Sequence, residues 1–295
     1  MAIQESFRTN LWSTDSVGAF GSASQTRSVL DGVLQHSQIN GLEGFAFRTE
    51  QRLSTFIREL ENHGVNVLSI HGRTGGHGSS MVDSFKLYGA NTSMINSKRL
   101  VELHGQDKDI LFHAPELRNP KVYREVCETI HTFDEAVRTT VWIENHLGPS
   151  ALQDVFDVVQ ALRLEGINAA GLFDPCHFIT PEGLSQNFVR NYQFMIDFFN
   201  SIASTKDLNG KQIIQALHVP VGTVAHDSLP IEEMSDKQLQ QVGDIAAEHN
   251  FTRIVIENQQ TGVTNIFKLL PYQEAPQRKR NTVNAQRLIA TGIIR

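Results

Sequence analysis

Six short strings in the chain end in a residue that can hold a metal ion or move a proton: His71 in "SIH", His113 in "LFH", Glu144 in "WIE", Asp174 in "LFD", His218 in "ALH" and Glu257 in "VIE". Each closes an apolar run of strand length. A single histidine or carboxylate in such a place is ordinary, a hydrogen-bonded structural group or a cap on the next helix. Six at equivalent positions are different, because gathered carboxylates and imidazoles repel and resist desolvation unless something positive binds between them. A divalent cation supplies that charge. Mixed imidazole and carboxylate donors without a thiolate cluster suit zinc, manganese, iron or cobalt better than calcium, which favours oxygen alone. Cys176, inside "AAGLFDPCHFI", reads as a structural thiol, since neighbours on an extended strand point to alternate faces and free cysteine behaves as a small hydrophobe.

The elements that must carry these residues alternate. "SVGAF" reads as a weak first strand before the helix "RSVLDGVLQHSQ", and "GLEGFAFR" as a second before "EQRLSTFIRELENHG", closed by Gly64. Then "VNVLSIH" precedes "NSKRLVELHG", "DILFHAP" precedes "PKVYREVCETIHTFDEAV", and "TTVWIENH" precedes "SALQDVFDVVQALRLEG". "AAGLFDPCH" leads into "SQNFVRNYQFMIDFFNSIAS", "KQIIQALHVP" into "SDKQLQQVGDIAAEHN", and "TRIVIEN" into a C-terminal helical stretch containing "NAQRLIATGI". Eight strand–helix units over this length predict a closed single-domain (β/α)8 TIM barrel more than an open sheet, with residues 1–10 a flexible N-terminus and 11–295 the barrel. The open-sheet alternative asks for a glycine-rich phosphate turn, and "GRTGGHGSS" fits neither G-x-G-x-x-G nor the P-loop pattern. In a barrel the six strand ends meet on one face. Trp142 is expected to fill core around the fifth strand, and the aromatics of "HTFDEAV" and "RNYQFMIDFFN" to pack helices on the barrel wall.

Composition narrows the setting. With 40% hydrophobic and 20% charged residues, 295 residues can bury a large core. Two cysteines are too few for a disulfide framework. Neither a membrane-length apolar run nor a secretory leader pattern is visible, so a cytoplasmic location is expected, with no membrane partner. The formal charge of −6 gives no general attraction to nucleic acid, and the basic string "PQRKRNTVNAQR" reads as a solvated helix face. A homo-oligomer is allowed but not demanded.

The order "IH", "FHAP", "IENH", "DPCH", "LHVP", "IEN" resembles the xylose-isomerase-like TIM-barrel superfamily, over roughly residues 41–260. That superfamily contains sugar isomerases and epimerases alongside the endonuclease IV family of abasic-site nucleases. The epimerase branch implies one divalent ion held by Glu144, Asp174, His218 and Glu257, with His177 touching substrate or a second metal. The endonuclease branch implies up to three zinc ions, adding His71, His113 and, in "VAHDS", His226 with Asp227. Its usual strings "HPGSH", "DTCH", "HLND" and "DRH" stand here as "FHAPE", "DPCH", "HVPV" and "AHD".

The expected cofactor is therefore a divalent metal, zinc, manganese or cobalt, one ion by the first branch and up to three by the second. On a small sugar or sugar derivative the ion would chelate adjacent oxygens and stabilise an enediolate, with Glu144 and Glu257 as general base and acid and His177, Arg48 and Arg73 binding a sugar or sugar phosphate. The expectation placed first is a metal-dependent isomerase or epimerase. The alternative is an endonuclease IV-like, zinc-dependent phosphodiesterase acting on abasic DNA, in which the same cluster activates water.

Overall fold

A computed structural model of the chain describes residues 11–13, 23–36, 39, 41–45, 50–72, 97–133, 139–145, 151–174, 192–221, 234–258 and 274–294. Eight parallel strands follow one another around a closed barrel: β1 (Leu11–Ser13), β2 (Gly41–Phe45), β3 (Val67–His71), β4 (Asp109–His113), β5 (Val141–Glu144), β6 (Ala169–Phe173), β7 (Ile214–Val221) and β8 (Arg253–Asn258). The ring closes where Leu11, between β2 and β8, pairs with both Gly41 and Val255. The helices between them are α1 (Ala23–Leu30), α2 (Glu50–Asn62), α3 (Ser97–His104), α4 (Ala114–Leu117), α5 (Pro120–Ile130), α6 (Ala151–Leu164), α7 (Tyr192–Ala203), α8 (Asp236–Glu248) and α9 (Glu274–Ala290). Among the described residues no helix is long and apolar enough to cross a membrane.

The strand period of two divides the core. Ile110, Phe112, Val141, Ile143 and Phe173 face outward into the layer beneath the helices, where Phe173 stacks on Phe199 and Phe199 meets Phe251 edge to face. Leu111, Trp142, Ala170, Leu172, Ala216 and Val255 form a separate cluster inside the ring. Trp142 thus fills the centre, as its place in the fifth strand predicts. Helix ends are set locally. Asn119 caps α5 with Pro120 as its first residue, and Ser235 and Gln238 form a reciprocal capping box on α8. Gly64 and Gly166 take left-handed backbone (φ 73° and 78°), letting Val65 and Ile167 bond back to Leu60 and Leu162 before the next strand starts.

Several sequence boundaries need correction. The strand between β8 and β2 is "LWS": three residues paired on both sides are held by register with β2 and β8, and so short a run carries no hydrophobic pattern. Residues 16–20, like the N-terminal segment 1–10, lie outside the described residues. "DILFHAP" is strand only to His113, because Pro115 suits the first turn of a helix and starts α4. The helix expected through "HTFDEAV" ends at Ile130 in a turn, and the one expected over "RSVLDGVLQHSQ" runs earlier, with Val33 and Leu34 both bonding back to Leu30. The basic C-terminal stretch is a helix from Glu274, but not a wholly solvated one: Asn281, Asn284, Ala285 and Leu288 are buried along one side.

Candidate metal centre

Strand ends deliver the site. His71 and His113 are the last residues of β3 and β4, Glu144 the last of β5, Asp174 follows β6 directly, and His218 lies inside β7. In the register His113 is level with Glu144, and His71 is level with Leu111, two residues before His113. All five are buried, none more than 3% exposed.

Glu144 is the hub. Its Oε2 lies 2.9 Å from His71 Nε2 and 3.2 Å from His113 Nε2, while its Oε1 lies 2.9 Å from His218 Nδ1. Asp174 Oδ2 approaches the same His218 nitrogen at 3.9 Å. Two three-residue groups result, His71–His113–Glu144 and Glu144–Asp174–His218, each with ligand atoms within 4.8 Å of one another. One carboxylate serves both, one oxygen toward each. Either group offers the imidazole and carboxylate donors that suit a divalent transition ion or zinc.

The imidazoles are aimed from behind. His71 donates its Nδ1–H to the Gly72 carbonyl at 2.9 Å, which turns Nε2 toward Glu144. His113 Nδ1 has Glu116 Oε1, from α4, at 3.8 Å, and His218 Nε2 has Glu43 Oε1 at 3.5 Å. The His71 contact is a hydrogen bond; the other two place a carboxylate oxygen on the far side of the ring, beyond hydrogen-bond length, where an acceptor sets the tautomer of a metal-ligating histidine. Asn145 holds Asp174 through its backbone, accepting from Asp174 N at 2.7 Å and donating to Asp174 O at 2.8 Å.

One layer deeper, Glu43 accepts from Ser69 Oγ (3.0 Å) and from the Arg253 guanidinium, which also donates to Ser69 Oγ (2.6 Å) and lies 5.0 Å over the Trp142 ring. Trp142 Nε1 donates to Asp109 Oδ2 at 2.9 Å. Burial works against the charge of Glu43, yet Arg253 and His218 outweigh it and hold the carboxyl down at about 2. Burial likewise opposes the charge of Glu144, and His218 and His113 overcome it, so its carboxyl stays well below the usual range. His218 pays for burial too but is pushed well above an ordinary imidazole by Glu144, Asp174 and Glu43.

Five of the six predicted strand-end residues are therefore together. The sixth, Glu257, has its backbone in β8 between Ser13 and Pro220, and its side chain lies outside the described residues. Arg48, Arg73, Cys176, His177, His226 and Asp227 also lie outside them. Sequence reading missed Glu43, Ser69, Glu116, Asn145 and Arg253. Glu43 and Arg253 left a faint signal: each is a charge inside a strand, in "GLEGF" and "TRIVIEN", at the parity that faces the barrel interior.

No family model and no curated protein matches this sequence. Solved structures do match in fold. A phospho-2-dehydro-3-deoxyheptonate aldolase from Thermotoga maritima aligns over 98% of this chain and 71% of its own at 8% identity and a TM-score of 0.51. A chitinase active domain from Pyrococcus furiosus aligns over 97% and 96% at 11% identity and the same TM-score of 0.51. A xylose isomerase domain protein from Planctomyces limnophilus covers 98% of both chains at 10% identity, with a TM-score of 0.47. At such identities the likeness shows the barrel fold alone.

Proposed function

We propose that the chain is a divalent-metal-dependent hydrolase of phosphate esters, built to hold two cations on either side of Glu144, with abasic DNA as the first substrate to test. The observation that carries this reading is the sharing of one carboxylate: Oε2 faces two imidazoles and Oε1 faces His218 with Asp174 beyond it. A single ion at Glu144, Asp174 and His218 would leave His71 and His113 surplus, whereas two ions give each donor a task. Charge supports it as well. Arg253 is bonded to Glu43, and among the described residues Glu144 and Asp174 face the three imidazoles, a donor set that suits cations.

Bound divalent ions would supply Lewis acidity and a lowered pKa for water. The protein's own groups do the rest. Glu144 fixes the spacing of the two halves; the Gly72 carbonyl aims the His71 ring; Asn145 holds Asp174. Leu111, Trp142, Leu172, Ala216 and Val255 each lie two residues before a strand-end donor and form an apolar floor, so substrate and water reach the centre from the strand C-terminal side.

A second reading is the isomerase or epimerase of a small sugar, with one ion on Glu144, Asp174, His218 and Glu257, His177 at the substrate, and Glu144 and Glu257 moving the proton. The formal charge of −6 favours it, because a DNA polyanion gains no general attraction from such a chain. Metal content with paired assays separates the two. Close to two or three ions per chain, with cleavage of an abasic duplex that His113→Gln abolishes, supports the hydrolase. One ion, turnover of a ketose or ketose phosphate, and an active His113→Gln variant would replace it with the isomerase.

A further inference from the structure

The deeper layer places a buried charged pair directly beneath His218. Glu43, at the centre of β2, and Arg253, at the start of β8, are both at most 2% exposed and are paired to each other. Ser69 from β3 donates to the same Glu43 oxygen. The guanidinium rests on Trp142, and Trp142 is itself held by Asp109, whose other oxygen accepts from Thr140 N at 2.8 Å. With Oε2 taken up by Arg253 and Ser69, the other carboxylate oxygen, Oε1, is the one turned to His218 Nε2. His218 Nδ1 faces Glu144 and Asp174.

We infer that Glu43 is a positioning residue, which keeps the proton of His218 on Nε2 so that Nδ1 is the ligand atom of the Glu144–Asp174–His218 group, and that Arg253, Ser69 and Trp142 hold Glu43 in place for that task. A neutral imidazole carries its proton on one nitrogen and offers the other, so the acceptor behind the ring decides which atom is presented. An ionised carboxylate is the strongest acceptor for this, and it stays ionised in the barrel interior because Arg253 is bonded to it. The Ser69 bond and the Trp142 stack leave little room for the pair to swing. The inference rests on the metal-binding reading above, but it concerns one half of the centre: His71 and His113 are aimed by other groups, Gly72 and Glu116.

The test uses the full chain, Glu43→Gln, and a double variant Glu43→Met with Arg253→Met, which removes acceptor and guanidinium together and leaves no lone buried charge. Zinc binding is followed by competition with a chelator, and the His218 ring by nitrogen-15 NMR. The expected result is a 10- to 100-fold weaker zinc affinity at one site in the double variant, with the second ion unchanged and Glu43→Gln in between, because glutamine still offers an oxygen. The Nε2 proton of His218 should be observed in wild type, with or without added zinc, and lost to rapid exchange in the double variant. Equal zinc affinity in a folded double variant, or a wild-type His218 bound to zinc through Nε2, would overturn the inference. If wild type takes up no zinc, the metal-binding reading fails, and the nitrogen that keeps the proton once pH is raised until the zinc-free ring is neutral still decides whether Glu43 sets its tautomer: Nε2 supports the inference, Nδ1 overturns it.

Discussion

The barrel buries charge in two layers that differ in one respect. In the deeper layer Glu43 meets a fixed cation, Arg253, and the pair is closed by Ser69 and Trp142. In the layer above, Glu144 and Asp174 meet imidazoles, whose charge depends on a proton. A carboxylate tied to a guanidinium is a support; a cluster of imidazole and carboxylate donors is a place where a cation can bind. Buried ion pairs are weak sources of net stability, but their members are costly to leave alone. The same asymmetry separates scaffold from site here.

The sharpest way to break that comparison is to unbalance the deeper layer. Arg253→Met alone leaves Glu43 buried without its cation and should cost about 3–5 kcal/mol of unfolding free energy in urea, while the double change with Glu43→Met should recover most of it. A single change that costs under about 1 kcal/mol would mean the two layers are not different in kind.

The upper layer should answer to pH instead. His218 has a raised pKa in the folded, metal-free chain, so its contribution to stability is full below its unfolded value of about 6.5 and fades as pH rises through the folded one. A cation must displace that proton. Affinity at the Glu144–Asp174–His218 group should therefore rise about tenfold per pH unit until the folded value is passed, with one proton leaving His218 as that ion binds, read by calorimetry. A flat profile would mean His218 is not a ligand.

The smallest effect is expected at a third pair, between the end of α6 and the turn that precedes β7. Arg163 meets Asp207 at 2.7 Å and also donates to the Ala169 and Gln212 carbonyls. Burial opposes the Asp207 charge, but Arg163 and the backbone N–H groups of Lys211 and Asn209 lower its carboxyl below the ordinary 3.8. Its contribution is present above that value and lost as pH falls below it. Asp207→Asn should cost about 0.2–1 kcal/mol near neutral pH and less in acid, with metal content unchanged.

Most of the barrel was legible because apolar runs of strand length and amphipathic helices alternate without interruption, and strand-end residues must then converge whatever the loops do. The donors His71, His113, Glu144, Asp174 and His218 were found for that reason alone. The support beneath them was not. Glu43 and Arg253 are 210 positions apart, and nothing local says that a glutamate in "GLEGF" meets an arginine in "TRIVIEN"; only closure of β2 and β8 through β1 brings them together. The sharing of Glu144 was equally hidden, since which oxygen faces which histidine depends on rotamers and register. The short strand "LWS" escaped because its place is decided by its neighbours and not by its own pattern.

As proposed, Glu144 would hold one cation toward the His71–His113 side and one toward the Asp174–His218 side. The most direct test is the zinc or manganese content of freshly purified wild type beside Glu144→Gln, with ion positions from anomalous diffraction. Two ions flanking Glu144 in wild type, each weakened at least about 100-fold by Glu144→Gln, are the expected outcome. Wild type that takes up no ion in excess metal, or a Glu144→Gln variant that keeps its ions, would contradict it.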